Sequence, residues 1–252
     1  MTTVGAVFDV LDGFCPFEQS EPWDNAGLLV GKRDFAVSKI AVSLDITAEI
    51  VEQAHQHGAE LIVSHHPVIF HPLKNIEPDN PVYLLAKHGI SAICAHTCLD
   101  CAHGGVNDVL AARLGLSNVQ TIPTPQAQTP LLRAGELEEM SAEDFAKYVS
   151  DKLNSHVFFA DGGEKIKRAA VCGGAGGEFF SDAKVAGCQA FVTGEARHHE
   201  LLEAAAVGIT LVVAGHFETE VPVTDTLFNL LKEQIKDVEV IKLTEISPVR
   251  FI

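Results

Sequence analysis

No stretch of this sequence approaches the roughly 20 consecutive apolar residues that a membrane-spanning helix requires, so no membrane partner is expected. The opening Met1-Thr2-Thr3 lacks the basic segment of a secretion signal, and the expected location is cytoplasmic. Positive charge is scarce: 18 Lys and Arg stand against 34 Asp and Glu, a formal charge of -16. A nucleic-acid groove needs clustered cations to neutralise phosphates, which argues against nucleic acid as a partner. An anionic small molecule would need local positive charge, and bound metal ions could supply it. Cys98-x-x-Cys101 has no second pair to accompany it, which is weak ground for a thiolate-bound metal or redox centre. The dinucleotide fingerprint is also incomplete. Gly173 to Gly177 follows a strand and precedes a helix, but Phe179 stands where the third glycine belongs. That stretch suits either an anion at a helix N-terminus or tight helix packing. Without an export signal the six cysteines are expected to be reduced and largely buried.

What is present is an ordinary globular composition, 47% apolar and 21% charged over 252 residues, enough for one large or two modest cores. Short apolar runs alternate with helical periodicity over brief connections, which predicts α/β architecture with mostly parallel sheets. Helices are expected near 4–11, 48–57, 82–88, 106–114, 141–153, 198–206 and 220–235, and strands near 39–44, 61–63, 90–95, 168–172, 190–193, 209–214 and 238–243. Between Ile122 and Pro130 prolines, threonines and glutamines replace apolar residues, suggesting a lobe boundary. The expected division is therefore 1–120 and 121–252. The two parts overlay weakly: 24 residues separate Ala41 from His65, and 25 separate Ala170 from Glu195. Each span holds a strand, a helix, a glycine and a second strand, which fits either a duplication or the default likeness of helix-strand units.

Leu61-Ile62-Val63-Ser64-His65-His66-Pro67 is the most informative stretch. Its apolar, β-branched start reads as a strand buried on both faces, and Pro67 ends the ladder. Ligands of open α/β sheets gather at the carboxyl ends of strands, where the two histidines stand. Adjacent strand residues point to opposite faces, so a shared target needs the chain to break there, to hold one ion awkwardly or two side by side. His96 with Asp100, and His216 with Glu220, form two further pairs at or after strand ends. Taken singly, Asp100 reads as a turn or capping residue, His96 as a half-buried hydrogen-bonded ring, and Glu220 as a first-turn carboxylate facing a helix dipole. Their recurrence in the same position favours a metal site. Mixed imidazole and carboxylate donors suit a divalent cation, and a carboxylate can bridge two ions about 3.5–4 Å apart. His198-His199 lies at a helix start instead and reads as a surface or supporting pair.

Pro22-Trp23-Asp24-Asn25-Ala26-Gly27-Leu28, Ser64-His65-His66-Pro67, Ile69-Phe70-His71-Pro72-Leu73-Lys74 and Gly215-His216-Phe217-Glu218-Thr219-Glu220 together resemble a known family. It is the dinuclear-metal family of GTP cyclohydrolase 1 type 2 homologues, and His96-Thr97-x-Leu99-Asp100 and Cys172-Gly173-Gly174-Ala175-Gly176 add to the match. The resemblance implies two similar α/β lobes around a shared metal cleft and a toroidal homohexamer. It implies His65, His66, Asp100, His216 and Glu220 as ligands of two divalent ions per subunit, drawn from Zn, Fe, Mn or Ni, with Asp100 and Glu220 bridging. It places His96 nearby as a partner beyond the ligands or a substrate contact, and His96 is the candidate catalytic group. The implied reaction is hydrolytic opening of the purine ring of GTP or a related nucleotide, with His96, or Glu218 if it turns inward, shuttling protons and Lys74 or the glycine stretch holding phosphates. A non-catalytic metal scaffold and a phosphoesterase remain alternatives. Cys98 and Cys101 beside Asp100 depart from the family pattern.

Overall fold

The first helix shows how little beyond periodicity is needed to seat an element here. In the computed structural model, which describes residues 1–250, α1 (Val4–Phe14) begins where Thr3 Oγ1 accepts from the Ala6 amide. Its Val4, Val7 and Leu11 are buried, the i, i+3, i+7 face of an amphipathic helix. After β1 (Gly27–Val30) and β2 (Lys39–Ser43), α2 (Ala48–Gln56) starts on a Thr47 side-chain cap. β3 (Leu61–Ser64) is buried along its whole length, as expected for a strand covered on both faces. α3 (Pro81–His88) is capped by Asn80, with proline at its first position, and stops at Gly89 in the left-handed conformation. β4 (Ser91–Cys94) then leads straight into a five-residue helix, α4 (Thr97–Cys101).

His103–Pro222 makes up most of a second compact unit. α5 (Val106–Arg113) is followed by the antiparallel pair β5 (Ser117–Ile122) and β6 (Leu132–Met140). Next come α6 (Ala142–Leu153), β7 (Phe158–Ala160) and β8 (Ile166–Cys172). A tight turn over Gly177–Phe179 opens α7 (Phe180–Val185), and then β9 (Ala190–Thr193), α8 (His198–Ala206) and β10 (Thr210–Val213) repeat the strand-helix-strand rhythm. β10 ends, like β4, in a five-residue helix, α9 (His216–Glu220). The sheet runs β5-β6-β8-β9-β10-β7. Its β8-β9-β10 heart is parallel and its flanking pairings are antiparallel. Two apolar layers enclose it, one containing Phe145, Val149, Val171 and Val192, the other Phe180, Phe191 and Leu211.

From Val223 the chain rejoins the first unit, Met1–Ala102 with Val223–Ile246. α10 (Val223–Gln234) buries Leu227 and Leu231, and β11 (Glu239–Lys242) pairs in parallel with β2. The first sheet is thus β1-β4-β3-β2-β11, antiparallel only at β1-β4. So the C-terminal strand, read from sequence as part of the second half, completes the sheet of the first. Each unit contains one α/β lobe of similar build: a strand, a helix, a strand, a helix, a strand and a short helix. No described helix is long and apolar enough to cross a membrane.

Three local expectations change. β5 and β7 are strands that alternation did not reveal; β5 is exposed except at Ile122, and β7 is only three residues long, with Phe158 and Phe159 exposed. The segment 216–220 forms a short helix of its own, which periodicity did not reveal. The expected helix 220–235 is also broken, because Pro222 has no amide to donate back into α9. Glu220 therefore closes α9 instead of opening the last helix.

Candidate metal centre

In the first unit the histidines stand just beyond strand ends. His65 and His66 follow β3, where the Ser64 hydroxyl donates to the His66 carbonyl and the His66 amide donates to the Leu44 carbonyl. The chain bends there, so two neighbours that a regular strand would aim apart lie with ring centroids 4.9 Å from each other. His96 follows β4, with its ring 5.3 Å from that of His65 and 5.8 Å from that of His66. One nitrogen from each of the three rings lies within 4.8 Å of the other two. Asp100, on α4, puts Oδ1 3.7 Å from His65 Nε2.

The tautomers follow from what each ring's other nitrogen touches. His65 Nδ1 is 2.8 Å from the Ala95 carbonyl, an acceptor only, so Nδ1 carries the proton and Nε2 the lone pair. His66 Nδ1 meets Asp45 Oδ1, and His96 Nδ1 meets Asp24 Oδ1, each at 2.8 Å. Burial opposes the charge on Asp24. The His96 ring, the Thr97 hydroxyl and the Thr97 amide outweigh it and bring the carboxyl down to about 2. Asp24 is therefore an anion near neutrality, and His96 donates to it. Histidines that bind metals characteristically donate their second N–H to a carboxylate or carbonyl in this way.

The second unit repeats the device. His216, the first residue of α9, brings Nδ1 to 2.6 Å from Glu195 Oε1, and Glu195 lies just past β9. One turn on, the buried Glu220 places Oε2 3.0 Å from His216 Nε2. If Nδ1 holds the proton, Nε2 and Oε2 are two acceptors facing one another, an arrangement that only an imidazolium or a cation between them makes favourable. Gly174 makes room for this pair. Its φ is +62°, and a Cβ there would collide with Glu220 Oε1 and press on His216 Nε2. The amides of Gly173, Gly174 and Gly176 are already engaged, by Asn107, Thr219 and Thr193 respectively. The glycine stretch thus serves close packing around Glu220, and those three amides do not form a phosphate cradle.

The donor chemistry fits a divalent metal. Imidazole and carboxylate ligands bind at about 2.0–2.2 Å, so donors sharing an ion lie about 3–4 Å apart, within small side-chain adjustment of the spacing among His65, His66 and His96. His65, His66, Asp100, His216 and Glu220 all stand at the carboxyl ends of strands or on the short helices that follow. The thiols do not join them: none of the six cysteines is in a disulfide, Cys101 is half-buried and the others are buried. Glu218 folds back over Gly215, and Lys74 and His198-His199 are exposed. Asp24, Asp45 and Glu195 were not singled out as orienting groups by sequence reasoning. Two of them carried a usable signal, because Asp45 and Glu195 each follow a strand end, where ligand-binding groups accumulate.

Known proteins share this sequence pattern and fold. A GTP cyclohydrolase 1 type 2 homolog of Clostridium perfringens is 31% identical, over 98% of each chain. One from Campylobacter jejuni is 33% identical over 85% of this chain and 86% of its own. Among solved structures, a Staphylococcus aureus hypothetical protein superposes with a TM-score of 0.90 at 29% identity, covering 100% of this chain and 99% of that one. A Bacillus cereus protein related to NIF3 shares the fold at 22% identity and a TM-score of 0.88, with 99% of both chains covered. The Duf34/NIF3 (NGG1p interacting factor 3) family model matches residues 2–248, and the chain belongs to that family.

Proposed function

We propose that this protein is a metal-dependent hydrolase that opens the purine ring of GTP or a related nucleotide, with His65, His66, Asp100, His216 and Glu220 as ligands of two divalent ions per subunit. The observation that carries the reading is the facing of acceptors. His65 Nε2 toward Asp100 and His216 Nε2 toward Glu220 are each arranged as a cation would require, with Nδ1 tied behind. The names of the curated relatives support the choice of reaction. A divalent ion at such donors supplies Lewis acidity, lowering the pKa of water toward neutrality and offsetting developing negative charge.

The chain's own residues then have separable tasks. Asp45, Glu195 and the Ala95 carbonyl hold their imidazoles in one tautomer and orientation. One water adds at C8 of the purine and one C8–N bond breaks, leaving a formamide; a second water hydrolyses the formamide and formate leaves. At each stage a proton must be taken from water and returned to a departing nitrogen. His96, its Nδ1–H held by ionised Asp24, is the base assigned to that transfer. Its closeness to His65 and His66 favours a second reading, in which it is a third imidazole ligand.

Elemental analysis of protein purified without added metal, followed by a nucleotide screen with the ion found, tests the whole reading. The double variant His66→Ala/Glu220→Ala should lose both metal and turnover. A metal-free double variant that opened GTP at the wild-type rate would refute it, and weakly held, readily exchanged metal with no turnover of any nucleotide would favour a scaffold or delivery role. The family resemblance also supports a cytoplasmic ring-shaped homohexamer, for which light scattering should give six times the 27.0 kDa chain mass.

A further inference from the structure

Beside the imidazoles of the first unit stand two large rings that folding alone does not explain. Trp23 is 61% exposed and Phe70 40% exposed. Single exposed apolar residues are common, but these two are contiguous, with centroids 6.0 Å apart and planes at 63°. Each also abuts His96: the indole lies 6.3 Å from the imidazole at 78°, and the phenyl 6.0 Å from it at 86°. Three mutually steep rings thus form an open corner whose inner wall is the catalytic candidate.

The corner is held from below. Asp24, next to Trp23, accepts from His96 Nδ1, from the Thr97 amide and from the Thr97 hydroxyl. The Glu21 amide donates to that same hydroxyl. Asn25 Nδ2 donates to the Ile69 carbonyl at 2.6 Å, which ties the segment carrying Trp23 to the one carrying Phe70. Exposed aromatic rings on anchored backbone cost little further ordering when a ligand arrives, which is what a recognition surface needs.

We propose that Trp23 and Phe70 are a stacking platform for a planar heterocycle, seating a purine base against His96. An aromatic ring has an electron-rich face and an electron-poor edge. Flat on one wall of a steep corner, a planar ring presents its edge to the other wall, and both contacts are favourable. An aliphatic group gains neither. Base stacking on aromatic side chains depends on the π-face and tolerates different bases, and the corner is built of ring faces with no guanidinium or ammonium among them, so it reads the base. Naming a purine rests on the hydrolase reading above; the platform itself does not.

Trp23 is the sole tryptophan, so its fluorescence reports this site alone. Metal-free and zinc-loaded protein would be titrated with guanosine, and separately with ribose 5-phosphate, which has a phosphate and no base. Saturable quenching by guanosine but not by ribose 5-phosphate is expected, weakened about tenfold in Phe70→Ala. In calorimetry Trp23→Phe, which keeps a ring, should retain most of the affinity that Trp23→Ala loses. Quenching that does not saturate, or that Phe70→Ala leaves unchanged, overturns the platform. So does a change of molecular mass in Trp23→Ala without any response to guanosine in the parent, since the rings would then be an interface between copies. Guanosine binding without GTP turnover sinks the hydrolase reading and keeps the platform. Turnover indifferent to both rings does the reverse.

Discussion

The chemistry of this protein is set by which nitrogen of each histidine is occupied. Asp45→Asn replaces the carboxyl acceptor behind His66 with a carboxamide, and the half-exposed position should tolerate it. Loss of such an orienting carboxylate typically costs about 10–100-fold in metal affinity. Competition with a zinc chelator should show that loss while circular dichroism stays unchanged. Asp24→Asn separates the two readings of His96. If His96 moves protons, metal content holds and the pH profile of kcat shifts; if it is a ligand, zinc affinity falls as in Asp45→Asn. Gly174→Ala tests the second unit. A left-handed backbone costs an alanine about 1–2 kcal/mol, and the added Cβ would displace Glu220. Urea unfolding should show the destabilisation, and elemental analysis a lowered metal content.

At the scale of elements, the sites depend on strand ends that are finished by distant chain. Parallel β11 closes β2, and Glu245 just beyond it accepts from the amides of Leu44 and Asp45. α10 covers this edge with Leu227 and Leu231, both fully buried. Leu231→Ala should cost about 2–5 kcal/mol, and the cost should be local to the first unit. Hydrogen exchange should accelerate at residues 39–43 more than at residues 190–193, and equal acceleration would refute the placement. Much of this level was legible in sequence. β3, α3 and α8 were read within a residue or two, because buried runs, caps and terminal glycines are local signals. α4 and α9 were missed because five residues are too few for helical periodicity to show.

For the whole molecule, acid is the condition that exposes the balance of charges. Burial opposes ionisation of Asp108, but the Gly104 amide and the Arg133 guanidinium hold its carboxyl below the ordinary range. At Glu60 burial is likewise outweighed, by the Ser38 amide and hydroxyl and the Lys39 amide. A carboxylate whose pKa is lower folded than unfolded stabilises fully above the unfolded value, about 4, and the contribution is lost as pH falls through the folded one. Metal-free protein should therefore melt at lower temperature at about pH 3 than at about pH 6, with a smaller gap in Asp108→Asn. An equal gap would exclude Asp108 as a source of acid sensitivity.

By itself the sequence determined the α/β alternation, the buried strand ending in His65-His66, and the placing of donor pairs after later strands. Those features are written in periodicity, proline and glycine over windows of a few residues. Only the tertiary structure decided which ring nitrogens are turned outward. His96 and its acceptor Asp24 lie 72 residues apart, and a hydrogen bond across such a distance exists only once strand order has brought two ends together.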